Sequence, residues 1–412
     1  MSDVTYARAS TRRIVVEVAG ARYTSWTEVE ITRDLSEVCH SFRLQADDLQ
    51  RTVASLPGSR NVPTNQALKP FQAVKITMDG ELILVGWIDA AHPGIDGRSV
   101  SMSIEGRDVV GDLVDCAAAP QGPVEYKKIK LEALAEKLCK PFKIAVKAEV
   151  DTGDPIEKVS IDTSETVMSV LEKYARKKQL LIISDGVGTL LLTRSGKTRA
   201  PEDIEFGRNV MRSSGDFDGR KRFSPVFVKG QDGHAGGKRK KKSGLDATAK
   251  PLATAPTPEK DADKPTGRES RGVAIVGKAV DPDVGRWRPT VKSPRAGKGK
   301  DTKTDLRREA EWYVSTARGA GDTITYDVHD WRANGQIWKP NQMTHVRDEY
   351  EMVDKDLLVA GVVFTFGSAG TQSQLRLTGK EAYEVFETKD DKHKSENTDV
   401  DGGLDGSAES LG

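Results

Sequence analysis

The chain has 412 residues, with 63 Lys or Arg against 62 Asp or Glu, and a formal net charge of +1 excludes a general polyanion binder, which carries a global basic excess. Its length exceeds one ordinary core and implies two to four domains, while 37% hydrophobic residues, 30% charged residues and 38 glycines imply modest cores and many turns. No run approaches 18 apolar residues, which excludes a helical membrane span, and Met1-Ser2-Asp3-Val4 lacks the features of a signal peptide.

The first 118 residues read as β. Ile14–Val18 is a short apolar run, and Val29–Arg33 and Ser41–Gln45 alternate with period 2. After a polar loop over Leu56–Pro70, Ala73–Met78, the turn Asp79-Gly80 and Leu82–Ile88 form a predicted hairpin, and Ser99–Glu105 alternates again. Residues 119–202 switch period. Leu131, Leu134, Ala135 and Leu138 mark a helix stopped by Pro141, and a second helix is expected from the capping-box spacing Asp162-Thr163-Ser164-Glu165. A hairpin over Leu180–Arg194 completes an α+β module. Cys39, Cys116 and Cys139 form no CxxC pair and read as reduced cytosolic thiols.

Short strands resume over 203–228. Composition collapses over 229–300, which holds seven of the 18 prolines and the run Lys238-Arg239-Lys240-Lys241-Lys242. This reads as a flexible basic insertion around one strand-like island, Val273–Val276. A helix over Asp305–Ala317 and strands from Thr323 to Phe386 follow. Residues 387–412, with eight acids and three lysines, read as a disordered acidic tail.

The β regions repeat. Lys69-Pro70-Phe71-Gln72 matches Lys339-Pro340-Asn341-Gln342, and Leu82–Ile88 matches Leu357–Val363, pairing Gly86 with Gly361 and then Gly106 with Gly379. The fold expected is therefore mainly β with an α+β module: two antiparallel tube-like β-barrels related by duplication, 12–118 and 203–386, flanking the α+β module at 119–202.

With these blocks in order, together with Val85–Asp89, Ile104–Cys116, Glu165–Arg176, Arg286–Pro289 and Gly335–Asn341, residues 12–386 resemble the Mu-type baseplate hub proteins of contractile-tailed phages. The resemblance implies a structural, non-enzymatic protein of the virion, assembled in the host cytoplasm, with no cofactor and no metal. It implies a homotrimer whose six barrels form a pseudo-sixfold ring between the hexameric tail tube protein and a trimeric central spike protein, held among other baseplate proteins, with nucleic acid only in transient passage through its channel. Interface anchors are expected at Trp87, Arg107 and Trp338. The hub of a related secretion or injection device shares this architecture.

Other chemistry is weaker in the residues. Gly196-Lys197-Thr198 lacks the first glycine of a phosphate loop, since position 191 is leucine. The six histidines show no ligand spacing. Glu105, Asp108, Asp112 and Asp115 admit a carboxylate-pair wall hydrolase, but carboxylates beside Arg107 are more often ion-paired. Between Gly219 and Lys242, nine bases oppose Asp232 alone. This marks Lys238–Lys242 as a polyanion contact or, by preference, a solvated loop.

Overall fold

A computed structural model describes residues 14–18, 20–24, 26–48, 68–95, 100–178, 180–196, 198–231, 274–293 and 303–384. The first β region gives β1 (Ile14–Val18), β2 (Ala21–Tyr23), β3 (Glu28–Asp34), β4 (Ser41–Asp48), β5 (Ala73–Met78), β6 (Glu81–Ile95) and β7 (Val100–Asp108). Period-2 patterning sends Val29, Ile31, Val74, Ile76 and Met78 inward, as alternating strands with one wet face require. Asp79 and Gly80 both have positive φ, +48° and +82°, which is the geometry of a two-residue hairpin turn.

The α+β module gives α1 (Gly111–Asp115), β8 (Glu125–Ile129), α2 (Leu131–Cys139), β9 (Ala145–Ala148), β10 (Ile156–Ser160), α3 (Val167–Lys177), β11 (Leu181–Ser184) and β12 (Thr189–Thr193). Its core joins Leu134, Leu138, Val170, Leu171, Leu190 and Leu192. The second helix starts later than its sequence signal. Thr166 is the N-cap, its hydroxyl accepting from Ser169 N–H, while Glu165 reaches back to Asp162 N–H in the preceding turn.

The second β region gives β13 (Thr198–Arg199), β14 (Ile204–Glu205), β15 (Val210–Phe217), β16 (Val226–Gln231), β17 (Ala274–Ala279), β18 (Thr290–Lys292), α4 (Lys303–Gly321), β19 (Asp322–His329), β20 (Arg332–Ala333), β21 (Gln336–Ile337), β22 (Gln342–Asp348), β23 (Val353–Gly367) and β24 (Gly370–Thr378). α4 runs longer than its apolar spacing predicts at both ends.

Two compact units result, Met1–Lys221 with Ser315–Gly412, and Arg222–Val314. Within 229–300 the smaller unit carries strands in the described residues 229–231 and 274–293, where the composition predicts a flexible insertion. Its described part forms a three-stranded sheet, β17-β16-β18, whose Val226, Val228 and Ala279 pack on Leu306, Ala310 and Val314 of α4. Arg222 grips Asp281 with two bonds of 3.0 Å and reaches Asp283 at 2.6 Å. A single apolar helix stripe supplies this core, which the low hydrophobicity of the segment conceals. Lys238–Lys242 and residues 387–412 lie outside the described residues.

The larger unit holds a 14-stranded sheet, with strands ordered β15-β19-β24-β23-β3-β4-β7-β6-β5-β1-β2, and β22 joining β23 to β13 and β14. The duplication is visible in this order. One half runs β3-β4-β7-β6-β5-β1 and the other β15-β19-β24-β23-β22 and then β13 and β14, with corresponding strands in the same chain order. The two long strands have 15 residues each, their following strands nine each, and each long strand bulges against its following strand, between Ile88 and Ala90 or between Val359 and Gly361, while β6 has a further irregularity against β5 at Ile83. Instead of two barrels each closed by its own strand pairing, the described strands of the two halves run together through β23 and β3. One apolar core spans both halves, with Trp26, Ile31, Leu44, Ile76 and Leu84 joining Tyr326, Trp331, Trp338, Phe364 and Leu375.

Candidate assembly interface

The seam between the halves shows how this sheet accepts a strand. β23 pairs β5's counterpart β22 over Val353–Leu358, then leaves it and pairs β3 over Gly361–Phe366. Leu35 N–H donates to Ala360 C=O at 2.8 Å in the same register, and Val29, Ile31, Val362 and Phe364 are buried across the junction. The Arg376 guanidinium clasps Asp34 at 2.5 and 3.1 Å over the seam.

The Lys-Pro-x-Gln turns sit alike against the long strands. Phe71 N–H donates to Ile88 C=O at 2.8 Å, and Asn341 N–H to Val359 C=O at 2.9 Å, each acceptor lying immediately before its bulge. Gln72 and Gln342 each accept the N–H of the turn lysine through Oε1, and Phe71 and Asn341 share left-handed φ values of +70° and +67°. Their environments differ. The Asn341 amide ties down Gly196 N–H and Arg194 C=O, whereas Phe71 is 90% exposed.

The four glycines occupy corresponding strands or strand ends but not corresponding places. Counted from the bulges, Gly86 lies three residues before Asp89, whereas Gly361 directly follows Ala360. Gly106 is inside β7, and Gly379 lies just past β24. Their physical reasons differ as well. A Cβ at Gly86 would strike the Arg107 carbonyl, and one at Gly106 the Trp87 carbonyl and the Phe42 ring. At Gly361 and Gly379 the closest neighbours are the Asp34 and Glu381 carboxylates. Unequal hairpin loops, two residues at Asp79-Gly80 and four at Glu349–Met352, allowed the glycines to match in sequence out of register.

Trp87 and Arg107 face each other across β6 and β7 on the outer face. Arg107 bonds Asp89 at 2.9 Å and Asp115 at 2.6 Å, so its guanidinium is held charged and the Asp115 carboxyl lies below its usual range. Burial raises Asp112, whose carboxylate takes a hydrogen bond from Trp87. Glu105 pairs with Arg43 at 3.3 Å. Trp338 is not an exposed anchor: it is 1% exposed within the main core, directly before its Lys-Pro turn, as buried Leu68 is before the other. A tryptophan is read as an anchor when its strand context is unknown, but the repeat makes this one a core plug.

Asp108, the fourth carboxylate of the cluster, belongs to a buried joint between the first half and the α+β module. Its Oδ2 accepts from Ser184 Oγ at 2.6 Å and His40 N–H at 3.1 Å, and its Oδ1 from Val110 N–H. Arg33 donates to His40 Nδ1 at 3.3 Å and to Asp185 C=O at 2.7 Å. Burial pushes Asp108 up to about 6 and holds His40 well below its ordinary value, so the imidazole is neutral. Gly186, at φ +84°, fits beneath the His40 ring, where a Cβ would collide. His40 and Arg33 are isolated polar residues in sequence and give no sign of this joint.

Among the described residues, the outer edge of β15 and the edge of β6 over Ala91–Ile95 take no partner, as the outer edges of the short strands β2, β13 and β14 take none. Phe217 on β15 is 58% exposed. Sequence reading found a short strand here but no edge, because an edge is defined by what lies beside it.

Three family models match in chain order: Mu phage baseplate assembly protein GpP-like, N-terminal, over residues 13–108; baseplate hub protein gp44-like, second domain, over 110–194; and Mu phage baseplate assembly protein GpP, fourth domain, over 302–386. The baseplate hub protein gp44 of Escherichia phage Mu is 26% identical over 401 residues, covering 95% of this chain and 94% of its own. The 43 kDa tail protein of prophage MuSo2 from Shewanella oneidensis superposes with a TM-score of 0.71 at 25% identity, over 90% of this chain and 99% of that one. A tail protein from Neisseria meningitidis gives 0.66 at 22% identity, over 90% and 97%.

Proposed function

This chain belongs to the Mu-type baseplate hub proteins of the virion tail, and we propose that it acts there as a homotrimeric symmetry adaptor without enzymatic activity. A hub works among other baseplate and tail components. In the finer reading, its tube-like halves, 12–118 and 203–386, meet the hexameric tail tube protein on one side and hold the trimeric spike protein on the other. Assembly takes place in the host cytoplasm, and nucleic acid passes only in transit.

The observation that carries this reading is one strand order present twice in one continuous sheet. Two near-equivalent halves per chain supply six positions from three copies, so one ring can satisfy sixfold and threefold neighbours. The carboxylate cluster supports a structural role, since Glu105, Asp108, Asp112 and Asp115 are each engaged by neighbouring groups.

Light scattering on the purified chain is expected to give three times the chain mass. A monomer at all concentrations would refute the adaptor. A zymogram on cell wall is expected to stay blank, and a clearing zone would refute the absence of hydrolase activity.

A further inference from the structure

The free edges of β15 and of β6 over Ala91–Ile95 are counterparts of the edges of β3 and β23 that already meet inside the chain. Reading across the sheet from the bulge, Ile88 faces Gly106, then Phe42, then Ile31. In the other half Val359 faces Leu377, then Ile324, then Gly215. Ile31 and Gly215 are therefore equivalent, and so are β3 and β15. Ile31 is paired on its far side with Phe364, five residues after Val359. Five residues after Ile88 stands Pro93, on the edge of β6 that has no partner among the described residues.

We infer that β15 of one copy adds to β6 of the next in an antiparallel ladder that pairs Phe217 with Ala91, Asp216 with His92, Gly215 with Pro93, Ser214 with Gly94 and Ser213 with Ile95. This rests on the trimer reading and names its seam. In this contact each copy contributes β15 as donor edge and β6 as acceptor edge, so it is head-to-tail, the type of contact that generates a ring where the rotation between copies closes.

Three features of the two edges fit a second copy as occupant. Six of the eight β15 residues, Met211, Arg212 and Ser214–Phe217, are exposed on a strand whose counterpart β3 is half buried, and Phe217 holds its ring over Gly215. Asp216 and His92, both exposed, meet as carboxylate and imidazole on the outer face. Pro93 stands opposite Met102 in the ladder to β7, with its nitrogen turned toward the free edge. Leu35 N–H donating to Ala360 C=O sets Val362, Phe364 and Phe366 toward β3, and Pro93 is the counterpart of Phe364. A proline there offers a carbonyl but no N–H, which discourages promiscuous edge pairing while leaving Gly215 N–H an acceptor.

The test is disulfide trapping with paired cysteines. In one chain β15 and β6 stand seven strands apart, about 33 Å along the sheet, so His92→Cys with Asp216→Cys can close only between copies. Oxidation of that double variant is expected to convert most of the chain to covalent trimer. His92→Cys with Ser214→Cys, two residues out of register, should give at least five-fold less, and each single variant none. As a second variant, Gly215→Pro removes the N–H offered to Pro93. It is expected to keep the circular dichroism of the wild type and lose the trimer. A trimeric wild type that traps equally in both registers, or a Gly215→Pro chain that stays trimeric, would overturn this seam while leaving the trimer reading intact. A monomeric wild type would overturn both.

Discussion

The two halves of the large sheet share strand order and the bulge of each long strand against the strand that follows it, yet they treat equivalent positions differently. β3 is covered by β23 and buries Val29 and Ile31, while β15 is uncovered and carries Ser213 and Gly215 at the same places. At the base of each half, β1 runs antiparallel to β5, whereas β13 and β14 run parallel to β22, because the chain enters the second half from the α+β module. A duplicated unit keeps the residues that build its ladder and changes those that meet a neighbour. Differences between the halves therefore mark where each one is in contact with something else.

The sharpest way to break the comparison is at the glycines. Gly106→Val places a branched side chain against the Trp87 carbonyl and the Phe42 ring, and backbone on one side cannot yield. The expected outcome is loss of folded protein, read by circular dichroism. Gly361→Ala meets first the end of the Asp34 side chain, so it should fold with a cost of about 1–2 kcal/mol in urea denaturation. Equal effects would mean that the two glycines do the same work after all.

Trp338 and Leu68 test the equivalence from the core side. Trp338→Ala should cost about 3–5 kcal/mol and Leu68→Ala about 2–5 kcal/mol, because both leave cavities in one continuous apolar cluster. Trimer mass should survive both substitutions in the fraction that folds. A Trp338→Ala chain of wild-type stability that failed to assemble would restore the tryptophan as an interface anchor.

How far the sequence carried this reading follows from what each signal records. Period-2 runs such as Val29–Arg33 record a local face and located the strands. The Lys-Pro-x-Gln turns record a local backbone shape and exposed the duplication, since a left-handed residue held by a glutamine cap depends on four neighbouring residues. The seam through Asp34 and Arg376, 342 residues apart, leaves no local trace. Nor does the joint at Asp108, where Ser184 and His40 become partners only after folding. The sheet of the smaller unit was missed because half of its core comes from α4, beyond the segment's end.

The Asp108 joint exists only in the first half and gives a pH signature that separates the two. Its carboxyl is raised from an ordinary 3.8 to about 6, so the folded chain binds a proton there that the unfolded chain does not. That contribution to stability is fully present below about 3.8 and is lost as pH rises through 6. His40 acts oppositely: buried neutral, it favours the unfolded state as pH falls through its ordinary 6.5. Asp108→Asn removes the first effect. From pH 7 to pH 5 the wild type should gain about 1 kcal/mol relative to that variant in urea denaturation. A constant difference across the range would show that Asp108 titrates normally.

The smallest expected effect comes from exchanging one residue between the halves. Phe71 holds a bulky side chain at φ +70° with 90% of it exposed, two unfavourable features at one position, while Asn341 holds the same backbone with the residue type best suited to it. Phe71→Asn should therefore stabilise the isolated chain by about 0.5–1 kcal/mol, since it relieves the left-handed strain and removes no buried contact. The reverse change, Asn341→Phe, should destabilise it, because Gly196 N–H and Arg194 C=O lose their partners. If Phe71 survives in the duplicated unit because it contacts another baseplate component, the stabilised variant should bind assembled tails more weakly than the wild type in a pull-down. A Phe71→Asn chain that is less stable than the wild type would mean that the aromatic ring already has a partner within the chain.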